Sequence, residues 1–245
     1  MRNIKLILKF VGSAYHGWQI QKNGITVQET LADAVSFVTG EEFPKLVGCG
    51  RTDAGVHALE YVVSFKTESE IPAERLPLAL NSRLPEDIVC IKAEDVSDDF
   101  DAAGSAVKKR YTYRILNAAI PDPFLTPYVY QVKFPLDILK MKKAAVHFEG
   151  THDFLGFAAA GFTVKTTVRT IYSVDISKEN DVITIDITGN GFLYNMVRII
   201  AGTLISVGRG DIEPDMIPDI INSCDRKRAG ITAPAKGLCL SEVYY

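Results

Sequence analysis

The sequence predicts two successive α/β domains of the α+β kind, each in the ferredoxin-like order βαββαβ. Three observations carry that expectation. Strand-period alternation and helix-period spacing take turns along the chain. Glycine, proline and capping residues fall at the changeovers. The order of elements in the first 104 residues then recurs in the remainder, although residue identities do not.

Residues 2–10 place Ile4, Leu6, Leu8 and Phe10 on one face of a half-buried strand. Thr26 and Glu29 form a capping box ahead of a helix with Leu31, Ala34, Val35 and Val38 at helical spacing, and Gly40 marks its end. A short strand is expected over 45–49. A longer one follows the glycine-rich loop, with Leu59, Tyr61, Val63 and Phe65 sharing a face. Pro72 suits the first turn of a helix over 72–81, and 88–96 reads as a strand. In the second half, 110–116 is a predicted strand and 135–148 a helix. Strands over 168–177 and 181–189 flank a turn at Lys178-Glu179-Asn180. Helices over 193–207 and 214–223 and a strand over 238–244 complete the order. Gly104-Ser105 is the expected boundary, giving domains of 1–104 and 105–245 on antiparallel or mixed sheets, related by pseudo-two-fold symmetry.

Hydrophobic residues make up 47% of the chain and charged residues 23%, so a core can form without staples. Cys49, Cys90, Cys224 and Cys239 lie far apart, with no Cys-x-x-Cys and no His pair at ligand spacing, which argues against a zinc site. Met1-Arg2-Asn3-Ile4-Lys5 runs straight into a strand, so no signal peptide is expected. The apolar stretch 196–207 is broken by Arg198 and falls short of the roughly 18 residues a membrane span needs. The expectation is a cytoplasmic chain with no membrane partner. Net charge is −3, but its distribution is uneven. Residues 1–104 carry 10 basic and 16 acidic residues, net −6; residues 105–245 carry 17 and 14, net +3. Lys108-Lys109-Arg110 and Arg226-Lys227-Arg228 are local basic clusters, which a solvated face would also explain.

The chemistry-bearing segment is Gly48-Cys49-Gly50-Arg51-Thr52-Asp53-Ala54-Gly55. As a dinucleotide fingerprint it fails, because Asp53 stands where the third glycine belongs and a strand follows instead of a helix. Glycines at 48, 50 and 55 let the backbone bend and let a planar group approach Asp53. A carboxylate there can be a nucleophile, a general base, or a turn-former with a salt-bridge partner such as Arg51. The loop alone leaves these open.

Gly50-Arg51-Thr52-Asp53-Ala54-Gly55-Val56-His57-Ala58 resembles the active-site motif of the tRNA pseudouridine synthase A family. Gly12-Ser13-x-Tyr15-His16-Gly17-Trp18-Gln19-x-Gln21 and Thr26-Val27-Gln28-Glu29-x-Leu31 are similar to its N-terminal signature. Asn81-Ser82-x-Leu84-Pro85-x-Asp87-Ile88, Lys109-Arg110-Tyr111-x-Tyr113, Phe192-x-x-x-Met196-Val197-Arg198 and Ala233-Pro234-Ala235-x-Gly237-Leu238 also match in order and spacing. The resemblance covers essentially the whole chain. It implies conversion of uridine to pseudouridine at positions 38–40 of the tRNA anticodon stem-loop, in a cleft between the two domains, without metal, redox partner or other cofactor. Asp53 would be the nucleophile, attacking the base at C6 or the sugar at C1′. Tyr111 would contact the target base, Arg198 would pair with Asp53 and keep it ionised, and Arg51 would hold the extruded nucleotide. Leu193 either packs or lines the pocket floor. Lys108, Lys109, Arg110, Arg226, Lys227 and Arg228 become candidate RNA contacts. A homodimer with tRNA across both subunits is implied as well.

Simpler roles compete with these. At least one of Tyr111 and Tyr113 belongs to a core, Trp18 fills one, His57 is structural, and Asp87 orders its own loop. Arg198 sits among Met196, Val197, Ile199 and Ile200, where an unpaired charge would cost several kcal/mol. Two positions depart from the family pattern: Val11 replaces an expected Asp before Gly12, and Ala103 replaces an expected Arg. The second removes a positive charge beside Asp95, Asp98, Asp99 and Asp101, which bears on substrate range more than on chemistry. Two other functions fit less well. A non-catalytic RNA binder would place Asp53 unfavourably in a phosphate-rich groove, and an Asp-dependent hydrolase would need a second carboxylate or a metal cluster.

Overall fold

The computed structural model describes residues 1–161 and 164–245, and the chain adopts the expected α+β class. It divides into two compact units, Met1–Val107 with Cys239–Tyr245, and Lys108–Leu238.

The first unit runs β1 (Arg2–Phe10), α1 (Val27–Thr39), β2 (Val47–Gly48), β3 (His57–Thr67), α2 (Leu76–Asn81) and β4 (Ile88–Val96). β1 pairs antiparallel with β3 on one side and β4 on the other, placing Leu6 opposite both Val63 and Ala93. Ile4, Leu6 and Leu8 are fully buried, each contributing about 1.5–3 kcal/mol by leaving water. The Thr26 hydroxyl accepts from the Glu29 amide at 3.3 Å, and Gly40 ends α1 in the left-handed conformation at φ 74°. Val27, Leu31, Ala34 and Val35 form its buried stripe. The helix expected over 72–81 starts as a 3-10 turn at Ala73–Arg75. It becomes α-helical only at Leu76, where Pro77 fits the first turn because its missing N–H has no partner to lose.

The second unit runs β5 (Lys108–Leu116), β6 (Tyr130–Gln131), α3 (Ile138–Ala145), β7 (Gly150–Asp153), β8 (Val168–Glu179), β9 (Val182–Gly189), α4 (Met196–Arg209) and α5 (Ile217–Ser223). β5, β9, β8 and β7 follow one another antiparallel, and β6 adds in parallel to β5. α3 starts later than the expected 135 because Asp137 caps it, accepting from the amides of Leu139 (2.9 Å) and Lys140 (3.0 Å). β6 and β7 are too short for a period-two pattern to show in the sequence. α4 is buried nearly all round. Its Gly202 lies so close to Ile231 that a β-carbon would sit 1.9 Å from the Ile231 carbonyl oxygen.

The last strand, β10 (Leu238–Tyr244), belongs from Cys239 onward to the first unit, where Cys239 and Leu240 pair in parallel with His57 and Ala58 of β3. Among the described residues no helix is long and apolar enough to cross a membrane, and no group of three or more His, Cys, Asp or Glu could hold a metal ion.

Candidate active site

Asp53 lies half-buried on the loop from β2 to β3. The loop owes its shape to backbone held at several points. Cys49 N donates to Val62 O at 2.8 Å, and the Tyr61 hydroxyl donates to Gly50 O. Tyr61 is fully buried, so its hydroxyl needs such a partner. Trp18 N donates to Thr52 O at 3.2 Å, Gly55 N to Tyr15 O at 3.2 Å, and Val56 N closes a turn onto Asp53 O at 3.2 Å. Gly55 makes that turn at φ 80°, a conformation open to glycine. At the exit, the buried His57 ring accepts from Gly12 N at its Nδ1, 3.1 Å away.

The N-terminal motif is the other half of this clamp. A β-carbon on Gly12 would lie 1.9 Å from Val56 O, and one on Gly17 would lie 2.4 Å from Thr52 O and 3.1 Å from the Asp53 carbonyl carbon. The two glycines let this segment lie directly on the Asp53 loop. The Tyr15 hydroxyl donates to Asp87 Oδ1 at 2.6 Å, and Val11 N donates to Asp87 O at 2.9 Å. Burial, reinforced by that carboxylate, pushes the Tyr15 phenol above its ordinary range. Three motifs distant in sequence thus meet in the first unit. Gly48 has a packing role instead of a ligand-facing one: a β-carbon there would strike the Tyr61 hydroxyl at 2.3 Å and the Trp18 ring at 2.6 Å. Trp18 is 2% exposed, in a core as expected. Arg51 is exposed.

The second unit gathers the other three motifs. Tyr111 on β5 is half-buried, its ring edge-on to Phe192 with centroids 5.2 Å apart. Tyr113, two residues on, is fully buried and donates to Pro234 O at 2.8 Å. Burial raises the Tyr113 phenol well above its usual value, opposed by the nearby positive charge of Arg198. Arg198, in the first turn of α4, donates through Nε to Ala233 O at 2.7 Å and through Nη1 to Asn195 Oδ1 at 2.7 Å. Ala233 N returns a bond to Arg198 O at 3.1 Å. Asn195 takes the left-handed conformation at φ 61°, which asparagine tolerates better than most residues. Leu193 is 5% exposed beneath this turn, and its carbonyl accepts from Met196 N at 3.0 Å. The sequence does not mark Asn195, Ala233 and Pro234 as partners; its one signal is an arginine on an apolar helix face, whose donors must go somewhere.

The basic clusters differ. Lys108, Lys109 and Arg110 are half-buried along β5, and Lys227 and Arg228 are exposed. Arg226 spends its guanidinium on its own loop, donating to Gly230 O at 2.8 Å and Thr232 Oγ1 at 3.1 Å. Asp101 is used locally, accepting from the amides of Ala103 (2.9 Å) and Gly104 (2.6 Å). Asp95 is paired with Arg2 at 2.7 Å.

A family model described as tRNA pseudouridine synthase matches residues 6–103 and 144–245. Asp53 and Arg198 fall in the matched stretches and Tyr111 between them. A tRNA pseudouridine synthase A of Thermoanaerobacter sp. (strain X514) is 53% identical over 245 residues, covering 100% of both chains. One of Acetivibrio thermocellus is 51% identical and a "tRNA pseudouridine synthase A 2" of Clostridium perfringens 49% identical, again over 100% of each chain. Among solved structures, a chain of the "Crystal Structure of a Cbf5-Nop10-Gar1 Complex" aligns at 11% identity over 97% of this chain, with a TM-score of 0.39. The alignment spans about half of that chain (48%), a likeness too slight to support an inference.

Proposed function

This chain belongs to the tRNA pseudouridine synthase family, and from that premise we propose that it isomerises uridine in the anticodon stem-loop, at positions 38–40, with Asp53 as nucleophile. The family relation makes it an isomerase acting on tRNA uridine. The observation that carries the finer reading is the Asp53 loop: a carboxylate on a backbone pinned at entry by Tyr61, in the middle by Trp18 and at exit by His57 and Gly12. Such preorganisation is what a covalent step needs, because a reacting group that wanders loses its effective molarity.

The reaction conserves every atom. The bond from uracil N1 to C1′ breaks, the base turns, a bond from C5 to C1′ forms, the C5 proton leaves and N1 gains one. No oxidant, reductant or group donor enters that balance. In this reading Asp53 supplies the transient covalent bond, while Tyr111, Arg198, Arg51 and Leu193 hold the extruded uridine. The edge-on contact with Phe192 supports Tyr111 as a base platform, since it fixes the ring. We expect Tyr111→Phe to keep KM within about threefold and lower kcat roughly 100-fold if its hydroxyl removes the C5 proton. Steady-state kinetics on an anticodon-arm RNA checks this; an unchanged kcat would leave the ring as a platform alone.

The resemblance further supports a cytoplasmic homodimer with one tRNA lying across both subunits. Lys108, Lys109, Arg110, Arg226, Lys227 and Arg228 are the proposed phosphate contacts, and Arg226 takes part only if it leaves its loop. The tRNA affinity is expected to weaken roughly tenfold or more between about 50 and 200 mM salt, despite the acidic balance. A flat salt titration would contradict phosphate contacts by these clusters. The deciding experiment maps pseudouridine across tRNA with and without the protein. New carbon-linked uridine confined to 38–40 supports the proposal; tight binding with no product after long incubation overturns it.

A further inference from the structure

Thr52, next to Asp53, is 8% exposed, and its hydroxyl is buried with no hydrogen-bond partner. Its surroundings make this notable. The other polar side chains that anchor the loop are satisfied: His57 accepts from Gly12 N, Tyr61 donates to Gly50 O, and Tyr15 donates to Asp87. The Thr52 backbone is fixed as well, its carbonyl accepting from Trp18 N at 3.2 Å with Gly17 packed against it. A β-branched side chain on a fixed backbone has few rotamers, so the hydroxyl cannot swing far to find a partner. Burying it unpaired costs stability, and valine would fill the same space without that cost.

We propose that Thr52 is a positioning residue for Asp53, its hydroxyl taking a hydrogen bond only when RNA occupies the site and thereby fixing the carboxylate for attack. This rests on the reading of Asp53 as nucleophile. In the free protein the hydroxyl weakens the fold slightly; in the RNA complex it restrains the residue that reacts. Such an arrangement predicts opposite signs for stability and turnover when the hydroxyl is removed, which a purely structural threonine would not give.

The test compares Thr52→Val, Thr52→Ser and Asp53→Ala, measuring melting temperature of the free protein and steady-state kinetics on an unmodified anticodon-arm RNA. Thr52→Val should melt roughly 2–4 °C higher. Its kcat should fall roughly 100-fold, with KM within about threefold of the unsubstituted protein. Thr52→Ser, which keeps the hydroxyl and loses only a methyl, should recover most of kcat. An unchanged kcat in Thr52→Val overturns the proposal. So does a lowered melting temperature, which would mean the hydroxyl already has a partner in the free protein, or a serine variant as slow as valine. Asp53→Ala separates the two levels of inference. If it is inactive while Thr52→Val is active, only the role of Thr52 fails; if it turns over, the nucleophile assignment fails first.

Discussion

Asp53→Asn should form no pseudouridine in an unmodified anticodon arm while binding that RNA within about threefold of the unsubstituted protein. Removing a covalent nucleophile typically costs roughly 10⁴-fold or more in kcat. Asparagine is the informative replacement because it has the shape of aspartate and keeps the main-chain carbonyl that accepts from Val56 N at 3.2 Å. The anchors at Tyr61, Trp18 and His57 lie on other residues and are untouched. What the substitution removes is the negative oxygen proposed to attack. Gel-shift or anisotropy measurement of binding, beside a single-turnover assay, separates the two effects. Normal product formation would sink the nucleophile assignment.

Gly17→Ala is expected to disable the same loop from the opposite side. Gly17 sits at φ 84°, where a side chain costs about 1–2 kcal/mol, and its new β-carbon would lie 2.4 Å from Thr52 O. Neither that backbone nor Asp53, whose carbonyl carbon is 3.1 Å away, can yield without breaking the bonds that hold the loop. A total loss of about 3 kcal/mol or more follows, a fall in melting temperature of roughly 6–12 °C. A displacement of about 1 Å at Asp53 would lower kcat about 100-fold even in the folded fraction. Gly40→Ala is the matched control. Its φ of 74° is similar, but nothing lies within 4 Å of the added carbon. It should lose about 1 kcal/mol and keep its kcat. If both variants lose activity alike, the clash with the Asp53 loop is not the cause.

Much of the fold was legible because the chain punctuates itself. Thr26 and Gly40 bracket α1, and the alternation of Ile4, Leu6 and Leu8 marks β1 without help from tertiary context. Asp137 outweighed Pro135 as the start of α3, because a side chain that satisfies two helix amides defines the first turn more strongly than a favourable φ. Six motifs were visible, but not their sorting into one cluster around Asp53 and another around Arg198. That sorting depends on contacts such as Tyr15 with Asp87, 72 residues apart, and Tyr113 with Pro234, 121 apart. No local pattern encodes such distances. In the sequence Gly12 and Gly17 are letters of a motif. Their reason, backbone lying against backbone, shows only when Val56 and Thr52 are seen beneath them.

The return of the final strand to the first unit makes Lys108–Leu238 an insertion within that unit. On the ribosome, His57 and Ala58 therefore emerge long before Cys239 and Leu240, the partners that pair with them. Making the intervening stretch takes on the order of ten seconds at about 5–20 residues per second. Through that interval the strand edge where the Asp53 loop ends has unmet backbone groups. The strand pairing at the exit of the Asp53 loop is thus added only once the whole inserted unit has been made, whereas the loop's own anchors, at Tyr61, Trp18 and Gly12, lie in the part of the chain already synthesised.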